Sequence, residues 1–290
     1  VTIGRATPEV RTLPPGLHLV STPIGAARDI TLRALDTLAS ADVLAAEDTR
    51  TLRHLMEIHG IPVGGRPLVP YHEHNAPQAL PRLIRALEEG RSVAYASEAG
   101  TPLISDPGFE LAREAARRGL PLTAAPGPVA AICALTLSGL PSDRFLFAGF
   151  PPSAKAARRT FLQELVTVPA TLILYESPKR IHGLLDDLVQ IAGEGRQTAL
   201  CRELTKRFEE VIRGTLAEVG QRLAGQEVKG EIVLLLDRAA EGGADAETVE
   251  AALTRALQDM SVKDAAATVA EAFGLPRKDI YRMALARGKE

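Results

Sequence analysis

The segment from Glu98 to Gly108 sets two carboxylates, Glu98 and Asp106, among four turn-forming residues, Gly100, Pro102, Pro107 and Gly108, within eleven positions. A simple turn needs only one glycine or proline. That density predicts a loop bent to bring its backbone against a ligand. Either carboxylate complements a positively charged ligand, and a sulfonium is one such cation. Neither has His or Cys company at metal-ligand spacing, so no metal site is expected. A second group, Glu47, Asp48, His72, His74 and Glu203, has side chains that accept protons. His72 and His74 bracket Glu73 and would share a face on a strand, although two exposed loop histidines would read the same way. His72 and Glu47 are the catalytic candidates, and the residues alone leave the identity of the base open.

The elements that must hold these groups alternate. Short apolar runs at 17–21, 43–46, 92–97 and 121–125 read as strands. Between and after them, 30–39, 50–59, 79–89, 109–118 and the apolar stretch 128–140 read as helices, several closed by glycine. A second series follows, with strands at 145–150, 171–175, 197–201, 209–213 and 231–236. Helices are expected at 154–165, from the Ser177-Pro178 pair onward, and from a Thr215–Glu218 capping box. Glu241-Gly242-Gly243 reads as a linker to three short helices at 246–260, 261–273 and 276–286. Strands alternating with helices predict mostly parallel sheets, with ligands at the carboxyl ends of the strands. The expected division is an extension 1–16, α/β domains 17–141 and 142–238, and a helical module 246–290. Thr22-Pro23-Ile24-Gly25, after the first strand, lacks the glycines of a dinucleotide fingerprint or P-loop and by itself reads as a turn.

Bulk properties narrow the classes. A net charge of −2 over 290 residues argues against a protein that coats nucleic acid along its whole surface. Aromatics make up 4% and tryptophan is absent, which disfavours an extended base-stacking platform. Cys133 and Cys201 are far apart in apolar runs, consistent with reduced thiols in a cytoplasmic setting. No basic-then-apolar signal segment is visible at the start, and the longest apolar stretch is too short to span a bilayer.

Eight motifs in series carry a resemblance. They are TPIG at 22–25, AEDTR at 46–50, YHEHN at 71–75, AGTPLISDPG at 99–108, PGP at 126–128, SGLP at 138–141, YESPKR at 175–180 and RELTK at 202–206. In this order they resemble the tetrapyrrole-methylase superfamily, and within it the branch that methylates small-subunit ribosomal RNA. The resemblance runs from about residue 17 to 236, and the terminal helical piece is similar as well. It implies two α/β domains of the class III methyltransferase fold with a cleft between them, and S-adenosyl-L-methionine as methyl donor. By motif, Pro23, Glu98, Ala99, Gly100, Thr101, Ile104, Val129, Ala130, Glu176 and Leu204 would line the donor site, many through backbone atoms. Three positions depart from the family pattern: Glu98 stands for a usual Asp, Val129 for a Ser or Thr, and Ala26-Ala27 for Asn-Leu. A lost side-chain hydrogen bond costs about 1 kcal/mol, so weaker donor affinity rather than loss of the site is expected.

The implied reaction is 2′-O-methylation of a cytidine ribose in the decoding region, by a homodimer acting on the small ribosomal subunit. Basic clusters would track the RNA: Arg50 with Arg53, Lys155 with Arg158 and Arg159, Lys179 with Arg180, and Arg202 with Lys206 and Arg207. Charge runs are equally what a solvated face looks like. Arg277, Lys278, Arg282 and Arg287 would extend the rim, or their helices would support a dimer. Two other readings keep the fold: a porphyrinoid C-methyltransferase of cobalamin or sirohaem synthesis, and a nonenzymatic ribosome-binding factor.

Overall fold

A computed structural model of the chain describes residues 7–104, 106, 108–239, 246–273 and 277–287. Ser105 and Pro107 of the glycine- and proline-rich loop, the Glu241-Gly242-Gly243 linker, the start of the extension, Pro276 and the side chain of Arg287 lie outside the described residues. The chain forms two compact units. One takes Val1–Ser138, Cys201–Ile212 and Lys229–Val233; the other takes Gly139–Leu200, Arg213–Val228 and Leu234–Glu290.

The first sheet holds β1 (Gly16–Val20), β2 (Val43–Ala46), β3 (Leu68–Pro70), β4 (Ser92–Ala96) and β5 (Leu122–Ala125) in the order β3-β2-β4-β1-β5. All four pairings are parallel. β2 and β4 are buried along their whole length, which is why they read as unbroken apolar runs rather than alternating ones. Helices α1 (Leu32–Ser40) and α2 (Thr49–Ile58) cover one face, where Leu35, Leu38, Leu52 and Met56 pack with Val20, Leu44 and Ala94. Helices α3 (Ala76–Glu88) and α4 (Phe109–Arg117) cover the other, where Leu83, Leu87 and Leu111 pack with Leu17, Val43 and Tyr95. Adjacent strands β1 and β4 thus send their following helices to opposite faces. Their carboxyl ends form the switch point at which open α/β sheets receive ligands. A fifth helix, α5 (Ala130–Ser138), follows β5.

Local chemistry fixes the helix ends. The Thr31 side chain accepts from Ala34 N–H to start α1, and Asp48 accepts from Arg50 and Thr51 N–H to start α2. Arg66 donates to the carbonyls of Leu38 and Ala41, satisfying acceptors that the end of α1 leaves open.

The second sheet orders β6 (Phe145–Gly149), β7 (Thr171–Glu176), β8 (Gln197–Arg202), β9 (Glu210–Thr215) and β10 (Ile232–Leu236) as β6-β7-β10-β8-β9. It is accompanied by α6 (Lys155–Leu165), α7 (Ile181–Ala192) and α8 (Leu216–Leu223), the last opened by the expected Thr215–Glu218 capping box. Helices α9 (Ala246–Asp259), α10 (Val262–Phe273) and α11 (Arg277–Arg287) build their own core from Val249, Leu253, Ala265, Val269, Ile280 and Ala284.

Three local readings change. β3 is a three-residue strand, too short to show a period. Helix α3 begins at Ala76 and runs through Pro81, three residues earlier than the pattern indicates. Ser177-Pro178 forms a turn, with Arg180 N–H donating to Ser177 O at 3.0 Å, and α7 starts only at Ile181.

Candidate functional site

The loops leaving β1 and β4 are tied together by a short antiparallel bridge. Thr22 N–H donates to Gly100 O at 2.9 Å and Gly100 N–H to Thr22 O at 3.1 Å. The Ser97 hydroxyl donates to the same Gly100 carbonyl at 2.6 Å, and the Thr22 hydroxyl to Ser97 O at 3.2 Å. A third loop joins through hydroxyls. Thr101 Oγ1 donates to Pro128 O at 3.0 Å, so its 3.0 Å contact with Ser21 Oγ has Ser21 as donor. Gly100 has a φ of +81°, a conformation open mainly to glycine. The three motif loops TPIG, AGTP and PGP therefore form one hydrogen-bonded frame.

A fourth motif closes on it. Ala26 N–H donates to Thr205 Oγ1 at 3.1 Å. At Gly25 a Cβ would lie 2.5 Å from Thr205 Oγ1 and 2.9 Å from Leu204 O, so only glycine allows this approach. The 203–209 loop is itself fixed. Thr205 N–H donates to Glu209 Oε2 at 2.6 Å, and Lys206 Nζ bonds Glu203 at 3.0 Å and Glu231 at 2.9 Å. Leu103, Glu203 and Thr205 are the non-glycine residues with positive φ among those described, and all lie in these loops.

The carboxylates separate by environment. Asp106 Oδ1 accepts from Tyr95 Oη and from Gly108 N–H, both at 2.7 Å, which anchors the end of the long loop beside α4. Burial and the neighbouring Asp106 push the Tyr95 phenol far up. The Asp48 carboxyl is held at about 2, chiefly by the Arg50 side chain, and Glu203 is held low by Glu231 N–H and Lys206. Neither Asp48 nor Glu203 is suited to take up a proton near neutrality. Glu47 moves the opposite way: burial first, then the charges of Asp106, Glu98 and Glu73, raise its pKa. The Glu98 backbone N–H acts in the opposite sense, favouring the charged form. His72 and His74 lie beyond β3 in a turn, not on a strand, with ring centroids 6.0 Å apart. The His72 carbonyl accepts from Ala76 N–H at the start of α3, and His72 Nδ1 is buried without a hydrogen bond.

The residues of the first unit that the motifs point to differ in exposure. Pro23, Val129 and Ala130 are half-buried, Glu98, Ala99 and Ile104 are exposed, and Gly100 and Leu204 are buried with their backbone in the frame. Asp106 Oδ2 is buried without a hydrogen-bond partner. Val129, just before α5, offers no side-chain oxygen to the first N–H groups of that helix. In the second unit Glu176 is 2% exposed; its Oε1 accepts from Ser177 N–H and its Oε2 pairs with Arg180 at 3.0 Å. Ser21 and Thr205 hold the frame together but stood out in the sequence only as parts of motifs.

A model of the tetrapyrrole (corrin/porphyrin) methylases matches residues 16–220, and one of the RsmI C-terminal HTH domain matches 243–288. A Mesorhizobium japonicum protein named ribosomal RNA small subunit methyltransferase I is 45% identical over 98% of this chain and 96% of its own. The chain belongs to the tetrapyrrole methylase family. An Escherichia coli O157:H7 methylase of the same name is 42% identical over 93% of this chain and 94% of its own. Among solved methylases, uroporphyrin-III-C-methyltransferase from Thermus thermophilus has a TM-score of 0.55 at 24% identity, covering 77% of this chain and 94% of that one. CobJ gives 0.59 at 17%, covering 78% and 95%. These structural likenesses establish the fold.

The basic clusters of this methylase divide into occupied and available cations. Arg158 is a correction: it is only 8% exposed, with its guanidinium 2.7 Å from Asp187, so it is a core ion pair rather than a phosphate contact. Arg159 bonds Asp187 and Gln190 from the edge of the same site. Arg180 is spent on Glu176 and the Pro151 and Pro152 carbonyls, and Arg202 on Glu210 and the Lys229 carbonyl. Lys206 is held as described, and Arg50 pairs with Asp48 at 2.9 Å while remaining largely solvent-facing. Lys155 and Lys179 are exposed and pair with none of the described residues. No metal-ligating cluster occurs among the described residues, and none of their helices is long and apolar enough to cross a membrane.

Proposed function

We propose that this methylase transfers a methyl group from S-adenosyl-L-methionine to the ribose 2′-oxygen of a cytidine in the decoding region of small-subunit ribosomal RNA. The observation that carries the reading is the bridged TPIG–AGTP frame at the switch point, in a chain whose full-length relatives bear the ribosomal RNA name. S-adenosyl-L-methionine supplies a methyl group on a positively charged sulfur. Backbone of Ala99, Gly100, Thr101 and Leu204, with Pro23, Ile104, Val129, Ala130 and Glu176, would hold it. The Glu98 carboxylate adds opposite charge. Much of the rate then comes from placing the two reactants in line.

A ribose hydroxyl is a weak nucleophile until its proton is drawn off. Glu47 is the base we favour over His72. Burial and the charges of Asp106 and Glu98, both in the loop that carries the frame, raise its pKa and bring it nearer the working pH. Lys155, Lys179 and Arg50 supply solvent-facing charge for phosphates, and Lys278 on α11 extends it. We assign the protein to the cytoplasm and to a homodimer. Mass mapping of ribose methylation in small subunits from cells with and without the gene tests the reaction. Loss of one 2′-O-methylcytidine is expected; an unchanged map removes the reading.

A further inference from the structure

We infer that Phe208 is the stacking platform for a base of the RNA substrate. This rests on the function proposed above and adds the residue that receives the acceptor nucleotide. Aromatic residues are scarce in this chain, at 4%, yet Phe208 is 65% exposed. Exposure of a phenyl ring on a slack loop would carry little meaning. This loop is not slack. Thr205 is fixed to Ala26 of the donor turn and to Glu209; Lys206 is fixed to Glu203 and Glu231. Turn hydrogen bonds run from Lys206 N–H to Glu203 O and from Glu209 N–H to Lys206 O. The backbone on either side of Phe208 is held by these bonds, and the ring is turned out with Arg207 and Glu209 from a fixed, donor-linked support.

Its neighbour gives the site a charge. The Arg207 guanidinium lies over the Phe208 ring, 5.4 Å from its centroid, leaving a cation beside an aromatic face. That combination suits a nucleotide, whose base stacks on the ring and whose phosphate faces the arginine. A target nucleotide presented from a single-stranded loop or bulge has its base splayed out, and an aromatic surface supplies the stacking that base lacks. Because the same loop abuts Gly25 and Ala26 of the donor frame, a base held on Phe208 stays in register with the methyl donor's loops.

The test measures kcat and KM of the full chain on small-subunit RNA, donor affinity by calorimetry, and oligomeric state, for Phe208→Ala, Phe208→Leu and Phe208→Trp. Phe208→Ala and Phe208→Leu are expected to raise KM for RNA roughly tenfold, with Phe208→Trp near wild type and donor affinity unchanged in all three. A leucine variant that matches wild type would show that apolar bulk suffices and would overturn stacking. A shift in oligomeric state or donor affinity would make Phe208 an interface or frame residue and overturn it too. Absence of transfer by the wild type removes the proposed function and this inference together, whereas normal transfer with an indifferent Phe208→Ala removes the inference alone.

Discussion

Thr22 and Gly100, far apart in sequence, exchange two backbone hydrogen bonds of 2.9 and 3.1 Å and so weld the loops after β1 and β4 into one edge. Both bonds run between backbone groups and use no side-chain atom. The frame therefore tolerates departures such as Glu98, Val129 and Ala26-Ala27, provided the backbone can still take its shape.

Gly100 is the residue that shape depends on. At φ +81° an alanine pays about 1–2 kcal/mol of local strain, and its Cβ would sit 3.3 Å from Ile24 Cγ2. Gly100→Ala is expected to weaken S-adenosyl-L-methionine binding about tenfold in calorimetry, and Gly100→Arg to abolish it. Unchanged affinity in both would take this loop out of the donor site.

Gly25→Ala probes the contact between the TPIG turn and the 203–209 loop. The added methyl meets Leu204 O at 2.9 Å, a backbone atom that cannot swing aside. Overpacking of this kind costs about 1–3 kcal/mol, visible as a lower Tm, and donor affinity should fall with it. A variant with wild-type Tm and affinity would show that the 203–209 loop can move freely from the turn.

Glu47→Gln separates chemistry from stability. As the base, Glu47 acts ionised, so the rate should climb with pH through a pKa above the ordinary glutamate value, and the glutamine variant should lose about 10²–10⁴-fold. Stability should run the other way. A pKa raised on folding means the folded state holds its proton more tightly, so the wild type loses stability as pH rises from the ordinary value through the raised one. Glu47→Gln escapes that loss, and its Tm should exceed wild type at neutral pH and converge with it in acid. An equal Tm difference at every pH would contradict the assigned cause.

Arg158→Ala should behave as a core lesion. It leaves Asp187, 1% exposed, without its main partner, a loss of about 3–5 kcal/mol by denaturant titration. The salt dependence of RNA binding should not change. Lys155→Ala and Lys179→Ala should do the reverse, each lowering the salt slope by about one with little effect on Tm. A reduced slope for Arg158→Ala would return that residue to the RNA surface.

The alternation of strands and helices was readable because β2, β4 and the helices over them keep strong apolar patterns. The 98–108 loop stood out too, since four glycines and prolines in eleven residues serve no ordinary turn, whereas Thr22–Gly25 by itself read as one. β3 escaped because three residues carry no period, and Ser177-Pro178 misled because a good start signal also makes a good turn. Charge was the least legible property. Arg158 and Lys155 sit on one helix and look alike in sequence, yet one faces Asp187 in the core and the other faces solvent. Which side of α6 is buried is decided by α7, a partner that local spacing does not reveal. The raised pKa of Glu47 likewise comes from burial and from charges brought in by two other segments, the 98–108 loop and the turn holding Glu73.

Leu103, Glu203 and Thr205 keep backbone angles that their side chains disfavour, at a local cost of about 1–3 kcal/mol each. Glycine at these places would relieve the tension and also slacken the loops that carry it. A lineage pressed toward greater heat tolerance is therefore expected to harden this protein elsewhere, leaving these three uncomfortable positions untouched.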